Sequence, residues 1–365
     1  MKIDNGQLIM DNKAEIRMQN AEIPPPLPPT HSSWGGLIEN PSPDSDMLRQ
    51  NIFCGNNAKG GKYLYIIIIT ILFLLFSAIY LYYDFKTLNI LTQIRLPRYM
   101  LTILCGMTLA SIGSVYQIML NNPLAEPYIL GISSGAALGS IIAGLTGFVL
   151  LMPLFGFGGA IGAMFLVWFI AHFRNNNAPN RLLFSGIITG MFISSLISLL
   201  MYLFLKDTAL ILQVLMGNTG NIFDQREWVY FLIAFFVSLL LLAYLFTLSN
   251  QLNILTSGDE VATSMGINVP KLRRKIFFVS SLLIGICVAY AGIIGFVGLI
   301  VPQMVRMIVG ASQKKVFLYS VISGAVFLLF CDFIAQHLTV IELPVGIITS
   351  FLGCPLFVYI LLIKN

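Results

Sequence analysis

Long stretches of this chain carry no charge and are dominated by apolar side chains. They lie at residues 63–83, 99–120, 128–152, 153–173, 182–205, 228–249, 276–305, 316–331 and 343–363. A helix that crosses the hydrocarbon core of a bilayer, about 30 Å thick, needs roughly 20 apolar residues. Only 10% of the 365 residues are charged and 57% are hydrophobic, against about 25% charged in a soluble domain. Most of the chain therefore cannot face water. The pattern predicts an all-α polytopic membrane protein.

The run that begins at Ile276 meets only Arg306 before Lys314. As one helix it would be about 57 Å long, nearly twice the apolar core. Gly292, Gly295 and Gly298 offer a place to turn back, so the run is split into two helices, the second shorter. The run at 316–331 extends through Asp332 to about residue 338, since one acid near a helix end is tolerable. Ten spans result. With the N-terminus inside, sixteen of the 21 Lys and Arg residues fall on the inner side, among them Lys271, Arg273, Arg274, Lys275, Lys314 and Lys315. This agrees with the excess of basic residues in cytoplasmic loops. Nine spans would put the clusters at 271–275 and 314–315 on opposite sides. Both termini are expected in the cytoplasm.

Residues 1–61 differ from the rest. They hold the run Pro24-Pro25-Pro26-Leu27-Pro28-Pro29 and seven acids between Asp4 and Asp46. This composition predicts a disordered cytoplasmic tail, either a docking ligand for a partner or a solvated extension. Met47 is an alternative start. A ten-helix transmembrane domain is expected over residues 62–365, with a polar connection at 250–275.

Small residues recur at helical spacing. Gly131, Gly135, Gly139 and Ala143 predict a bare stripe on the third span, and Gly158 and Gly162 another on the fourth. Such stripes let helix backbones approach closely in lipid, or line a substrate path.

Catalytic chemistry is not legible. The phosphate-binding pattern G-x-x-x-x-G-K-[ST] does not occur, and His31, His172 and His337 are scattered. The five cysteines have no paired spacing and read as small packing residues. No catalytic residue, metal, cofactor or nucleic-acid partner is expected. Ion-coupled transporters place carboxylates within the membrane, and Asp332 is the one acid deep in an expected span. It serves either as a proton site, in an ion-coupled secondary transporter working without an ATPase, or as a structural partner.

The connection after Asn250 contains Ser257, Gly258, Asp259 and Glu260. Ser257 and Glu260 have the spacing of a capping box. A short helix over Gly258–Met265 is predicted, ended by Gly266 at the C′ position and by Pro270. It is either a handle for a soluble motor or a structured loop. At the outer mouth, Arg95 and Arg98 flank Pro97. They could pair with carboxylates of an external partner or anchor to lipid phosphates.

These residues fall in blocks that resemble the FecCD-type permeases of binding-protein-dependent ABC importers, which carry iron–siderophores, haem and vitamin B12. The blocks run in order over about residues 63–365. They are Arg95-Leu96-Pro97-Arg98, then GSVYQ at 113–117, NNPLAEP at 121–127 and LGISSGAALG at 130–139. GDEVA at 258–262 is followed by MGINV at 265–269. GFVGLIVP at 295–302 leads to Arg306, and LPVG at 343–346 precedes Thr349 and GCP at 353–355. The resemblance implies a type II importer architecture in the bacterial cytoplasmic membrane. It implies a second permease copy, two cytoplasmic ATPase subunits and an extracytoplasmic substrate-binding protein. It further implies that Ser257, Gly258, Asp259, Glu260, Ala262 and Gly266 form the ATPase contact, and that Arg95 and Arg98 meet acids of the binding protein. An iron(III) chelate is the expected cargo, with haem and cobalamin behind it. The sequence departs from the pattern at Gln303, where histidine is frequent, and at Gln336-His337, where some members carry an arginine.

Overall fold

The computed structural model describes residues 68–69, 71–72, 75–78, 95–172, 179–220, 225–339 and 342–364. The expected tail lies outside them, as does most of the expected first span. The described residues of that span are helical. They touch the bundle through Ser77, which accepts from the Tyr99 hydroxyl at 2.7 Å, and through Phe76, edge-on to Phe330.

Every other expected span has its helix. Among the described residues the long ones are α1 (Leu96–Met119), α3 (Met152–His172), α4 (Pro179–Leu203), α6 (Gln225–Thr247), α9 (Val269–Ala291), α11 (Gln313–His337) and α12 (Val345–Lys364). Two apolar helices are shorter, α2 (Ile132–Leu145) and α10 (Val297–Val309). Three further helices connect them: α5 (Thr208–Met216), α7 (Ser249–Leu255) and α8 (Asp259–Ser264).

α1 is the axle of the bundle. Of its most apolar stretch, 89% is buried, against 22–67% in the other helices of spanning length other than α12. Ile112, Val115, Tyr116 and Met119 join one apolar cluster with Leu252 and Phe277. Leu101, Leu104 and Leu109 join a second with Phe231, Val297 and Leu328. Glycine brings the neighbours close. A Cβ at Gly113 would fall on the carbonyl of Gly298 in α10, and one at Gly106 on the carbonyl of Gly324 in α11. Close backbone approach is how helices gain contact in lipid, where apolar burial gives no net drive.

The expected stripes are only partly realised. Gly135 meets Gly159 and Ala163 of α3, and Gly139 meets the Phe155 carbonyl. Gly131 lies outside that stripe: it is the N-cap of α2 and packs on Gly186 and Gly190 of α4. Among the described residues nothing packs on Gly158 or Gly162; a Cβ at either meets open space. The glycines of α3 that do pack are Gly156 and Gly159, on a different face of the helix.

The expected single span at 128–152 is not one helix. A 3₁₀ turn over Pro127–Leu130 precedes α2, and a second, Val149–Leu151, precedes α3. At 14 residues, α2 is about 21 Å long, too short to cross alone. The segment before it folds against α10 instead: the Pro123 carbonyl accepts from Gln303 at 2.8 Å, and Pro127 packs on Gly298. Gln303 thus supplies an amide donor where the resembling family often has an imidazole.

The expected break after α9 is present, with Ala291 the last residue of α9 and Val297 the first of α10. Phe296 enters α10 with φ of 69°, a left-handed conformation uncommon for a bulky residue.

Candidate functional site

Two polar clusters sit at opposite ends of α1. The first gathers on Asp259. The chain leaves α7 and forms the six-residue helix α8, whose first turn holds Asp259 and Glu260. The N-cap is Gly258, with φ of 107° and no side-chain cap. The capping box expected at Ser257 and Glu260 is therefore absent: the backbone turns at Gly258, one residue later. The expected stop is realised. Gly266 has φ of 83°, its N–H bonds to the Thr263 carbonyl, and the Ile267 N–H bonds to the Ala262 carbonyl. That is the Schellman arrangement. Asn268 then caps α9 by accepting from the Lys271 N–H at 3.0 Å, with Pro270 in the first turn.

Only Ala262 of α8 is buried. Val261 and Met265, four apart and so on one face, are 39% and 64% exposed. The helix therefore shows an apolar tip outward. What fixes it is Arg273 of α9. Its Nη1 donates to Asp259 Oδ2 at 2.7 Å and its Nη2 to Oδ1 at 2.8 Å. Its Nε donates to the Met119 carbonyl, at the last residue of α1, at 3.2 Å.

A second knot lies at the same end of α1. Gln313 Nε2 donates to the Ser114 carbonyl at 3.3 Å and to its hydroxyl at 3.2 Å. Arg306 of α10 donates to the same carbonyl at 3.0 Å. The Gln313 N–H donates to Asn253 of α7 at 3.1 Å. Helices α1, α7, α10 and α11 are thereby tied together.

The opposite end of α1 holds Arg98. It is 7% exposed and presents no open guanidinium edge. Nε and Nη2 donate to Asp332 of α11, and Nη1 donates to Glu342 at 2.7 Å. Asp332, fully buried, also accepts from the Thr219 hydroxyl at 2.6 Å and from Gln336 at 2.8 Å. Asp332 is a structural partner. Gln336, one of the two residues at which the sequence departs from the family pattern, belongs to its shell. Arg95, half-buried, lies one helical turn earlier.

Between the two ends the α9–α10 break exposes backbone donors that lipid cannot satisfy. The Ile294 N–H donates to the Tyr128 hydroxyl at 3.1 Å, and the Phe296 N–H to Glu126 Oε1 at 2.6 Å. The Ile293 N–H donates to the Val214 carbonyl of α5. Gly292 packs on that carbonyl, and a Cβ at Gly295 would lie 3.7 Å from Glu126 Oε1. The three glycines 292, 295 and 298 thus shape the break and seat α10 against the segment before α2.

Sequence reasoning missed Glu126, Tyr128, Arg273 and Gln313, and left the pairing of Arg98 with Asp332 unseen. The available signal for Glu126 was an acid between Pro123 and Pro127 in the short connection between two expected spans. Along α4, Met191, Ser194, Ser195, Ser198 and Tyr202 are exposed on one face. Among the described residues no three His, Cys, Asp or Glu side chains gather as a metal site.

The sequence profile of the FecCD transport family matches residues 60–363. The hemin transport system permease protein HmuU of Yersinia pestis is 35% identical over 284 residues, 75% of this chain and 83% of that permease. The vitamin B12 import system permease protein BtuC of Klebsiella pneumoniae is 34% identical over 276 residues, 74% of this chain and 81% of its own. A solved structure described as an inward-facing conformation of a metal-chelate type ABC transporter superposes with a TM-score of 0.73 at 29% identity, covering 81% of this chain and 98% of that one.

Proposed function

The chain belongs to the FecCD transport family, and we propose that it is the permease through which an iron(III) siderophore, or a related chelate such as haem or cobalamin, crosses the bacterial cytoplasmic membrane. It is the transmembrane permease subunit of an ABC importer. Its sequence has no phosphate-binding loop, so a separate ATPase supplies the energy.

One observation carries the mechanism: α8 stands clear of the bundle, with Val261 and Met265 outward, yet is held to α1 and α9 through Arg273. An exposed apolar tip on a tethered helix suits reception of a push from a soluble partner. In this reading Ser257 to Gly266 face the ATPase in the cytoplasm. The opposite end, with Arg95 and the Arg98–Glu342 pair, faces a substrate-binding protein outside. Both termini then lie in the cytoplasm.

In this reading the path lies between two copies of the chain. The cavity between α2, α5, α6 and α9, of about 260 Å³, is below the roughly 300–1,000 Å³ of ordinary ligand pockets, and a metal chelate needs more. Met191, Ser194, Ser195, Ser198 and Tyr202 give α4 an exposed face of mixed polarity that could border such a path; the Ser195 and Ser198 hydroxyls donate to the Met191 and Ser194 carbonyls of the same helix. ATP-driven closure of the ATPase pair moves α8 and alternates access to that path.

The ion-coupled reading has no support left, because Asp332 is engaged by Arg98, Thr219 and Gln336. The test is reconstitution in proteoliposomes with the cognate ATPase and binding protein. ATP-dependent uptake of a ferric chelate is expected. Uptake driven by an ion gradient with no ATPase present would refute the reading.

A further inference from the structure

We infer that Arg273 is the positioning residue that hands displacement of α8 to α1, and through α1 to the Arg98 end of the bundle. The inference rests on the reading of α8 as the ATPase contact.

The helix has few other fixtures. It is six residues long and buries Ala262 alone, so a partner that grips Val261 and Met265 could slide it without disturbing the core. Asp259 is its one side chain in an ion pair, and that pair is two-pronged. A planar fork on a carboxylate fixes orientation as well as distance. The third nitrogen of the same guanidinium reaches the Met119 carbonyl, one of the end carbonyls that an α-helix leaves without an internal partner. One rigid, planar group therefore bridges α8 and the end of α1. Lysine cannot do this, since its ammonium is a single point of charge.

The receiver is suited to the task. α1 has 24 residues and is about 36 Å long, enough to cross the membrane. It is packed glycine-to-glycine against α10 and α11, so it moves as a rod. At its far end Arg98 grips α11 through Asp332. A second route leaves the same connection through Asn253 to the start of α11. The two routes diverge at α7–α8 and meet again at Arg98–Asp332. A push at one face thereby reaches the other face by way of two helices.

The experiment uses the whole complex in proteoliposomes and compares uptake with ATP hydrolysis in Arg273→Lys, Asp259→Asn and the exchange Asp259→Arg with Arg273→Asp. Arg273→Lys is expected to retain the ATPase and its hydrolysis, while substrate moved per ATP falls about tenfold, the scale of losing charge-assisted hydrogen bonds; Asp259→Asn, inside the ATPase contact itself, is expected to lose at least as much. The exchange restores a charge pair but leaves the Met119 carbonyl without a donor, so it should stay uncoupled. A purely structural ion pair predicts rescue. Wild-type uptake per ATP in Arg273→Lys, in Asp259→Asn or in the exchange overturns the inference. Should Arg273→Lys not assemble, Asp259→Asn decides in a chain that also carries Met265→Cys, because the cross-link shows whether the ATPase is still docked while uptake per ATP is read; the Asp259 carboxylate is half-exposed. Met265→Cys, cross-linked to the ATPase, separates the two ideas. No cross-link refutes α8 as the contact; a cross-link together with coupled Arg273→Lys refutes only the relay.

Discussion

Arg98 and Asp332 are 234 residues apart in the chain, yet their side chains close on each other with two hydrogen bonds, at 3.1 and 2.9 Å, away from solvent. An ion pair so buried is expensive to create, because both charges leave water. Here the cost is offset by a full shell: Thr219, Gln336 and Glu342 take the remaining positions. The pair pins the far ends of α1 and α11 to the turn after α5.

Removal of one partner should therefore cost far more than loss of a surface contact. Arg98→Ala or Asp332→Ala is expected to destabilise by about 3–5 kcal/mol, the scale for an orphaned buried charge. The double change Arg98→Met with Asp332→Leu should recover much of that. Thermal unfolding of the purified permease in detergent measures both. If Arg98 instead acts mainly by docking a partner, Arg98→Ala will unfold like wild type and lose only binding-protein affinity.

Glycines of the same type should differ sharply by position. Gly113→Ala sets a methyl on the Gly298 carbonyl, and overpacking of that kind costs about 1–3 kcal/mol. Gly158→Ala meets open space inside a helix and should be neutral or stabilise by up to about 1 kcal/mol. Midpoints of unfolding for the two single variants give the comparison; equal effects would contradict the packing described.

The caps around α8 make a separate prediction. Ser257→Ala should leave stability unchanged, since no side-chain cap forms there. Asn268→Ala removes the cap of α9 and should cost about 1 kcal/mol. Gly266→Ala, at a left-handed C′ position, should also cost about 1 kcal/mol. Hydrogen exchange over residues 258–272 reports each change locally.

At the broken helix, Tyr128→Phe leaves the Ile294 N–H without its acceptor. A buried donor left unpaired costs about 1–3 kcal/mol. Glu126→Gln keeps an acceptor oxygen for the Phe296 N–H and should be milder than Glu126→Ala. The readout is amide exchange at Ile294 and Phe296. Unaltered protection in Tyr128→Phe would mean that another group holds that amide.

Spans from 99 onward were legible because a lipid-facing helix advertises itself through apolar length alone, whatever it later packs against. The break near Gly292 was legible for the same reason: a 38-residue run exceeds the bilayer. The half-helix α5 and the re-entering segment before α2 were not. Both lie in apolar or mixed stretches whose local signal resembles an ordinary span or loop, and they fold as they do only because α2, α9 and α10 supply partners.

The short helix at 259–264 divides in the same way. Gly266 and Pro270 fix where it stops, through backbone geometry that any solvent would respect. Its start is set at Gly258 and not by the hydroxyl of Ser257, because Asp259 is drawn to an arginine fourteen residues away.

By itself, the sequence determined that this chain lives in a membrane and where its apolar runs and polar connections fall, since each follows from local apolarity and backbone stereochemistry. Only the tertiary structure decided what the charges do. Arg98 faces inward and Arg273 bridges two helices because oppositely charged or acceptor groups, remote in the chain, arrive beside them where water does not. No local pattern encodes that meeting.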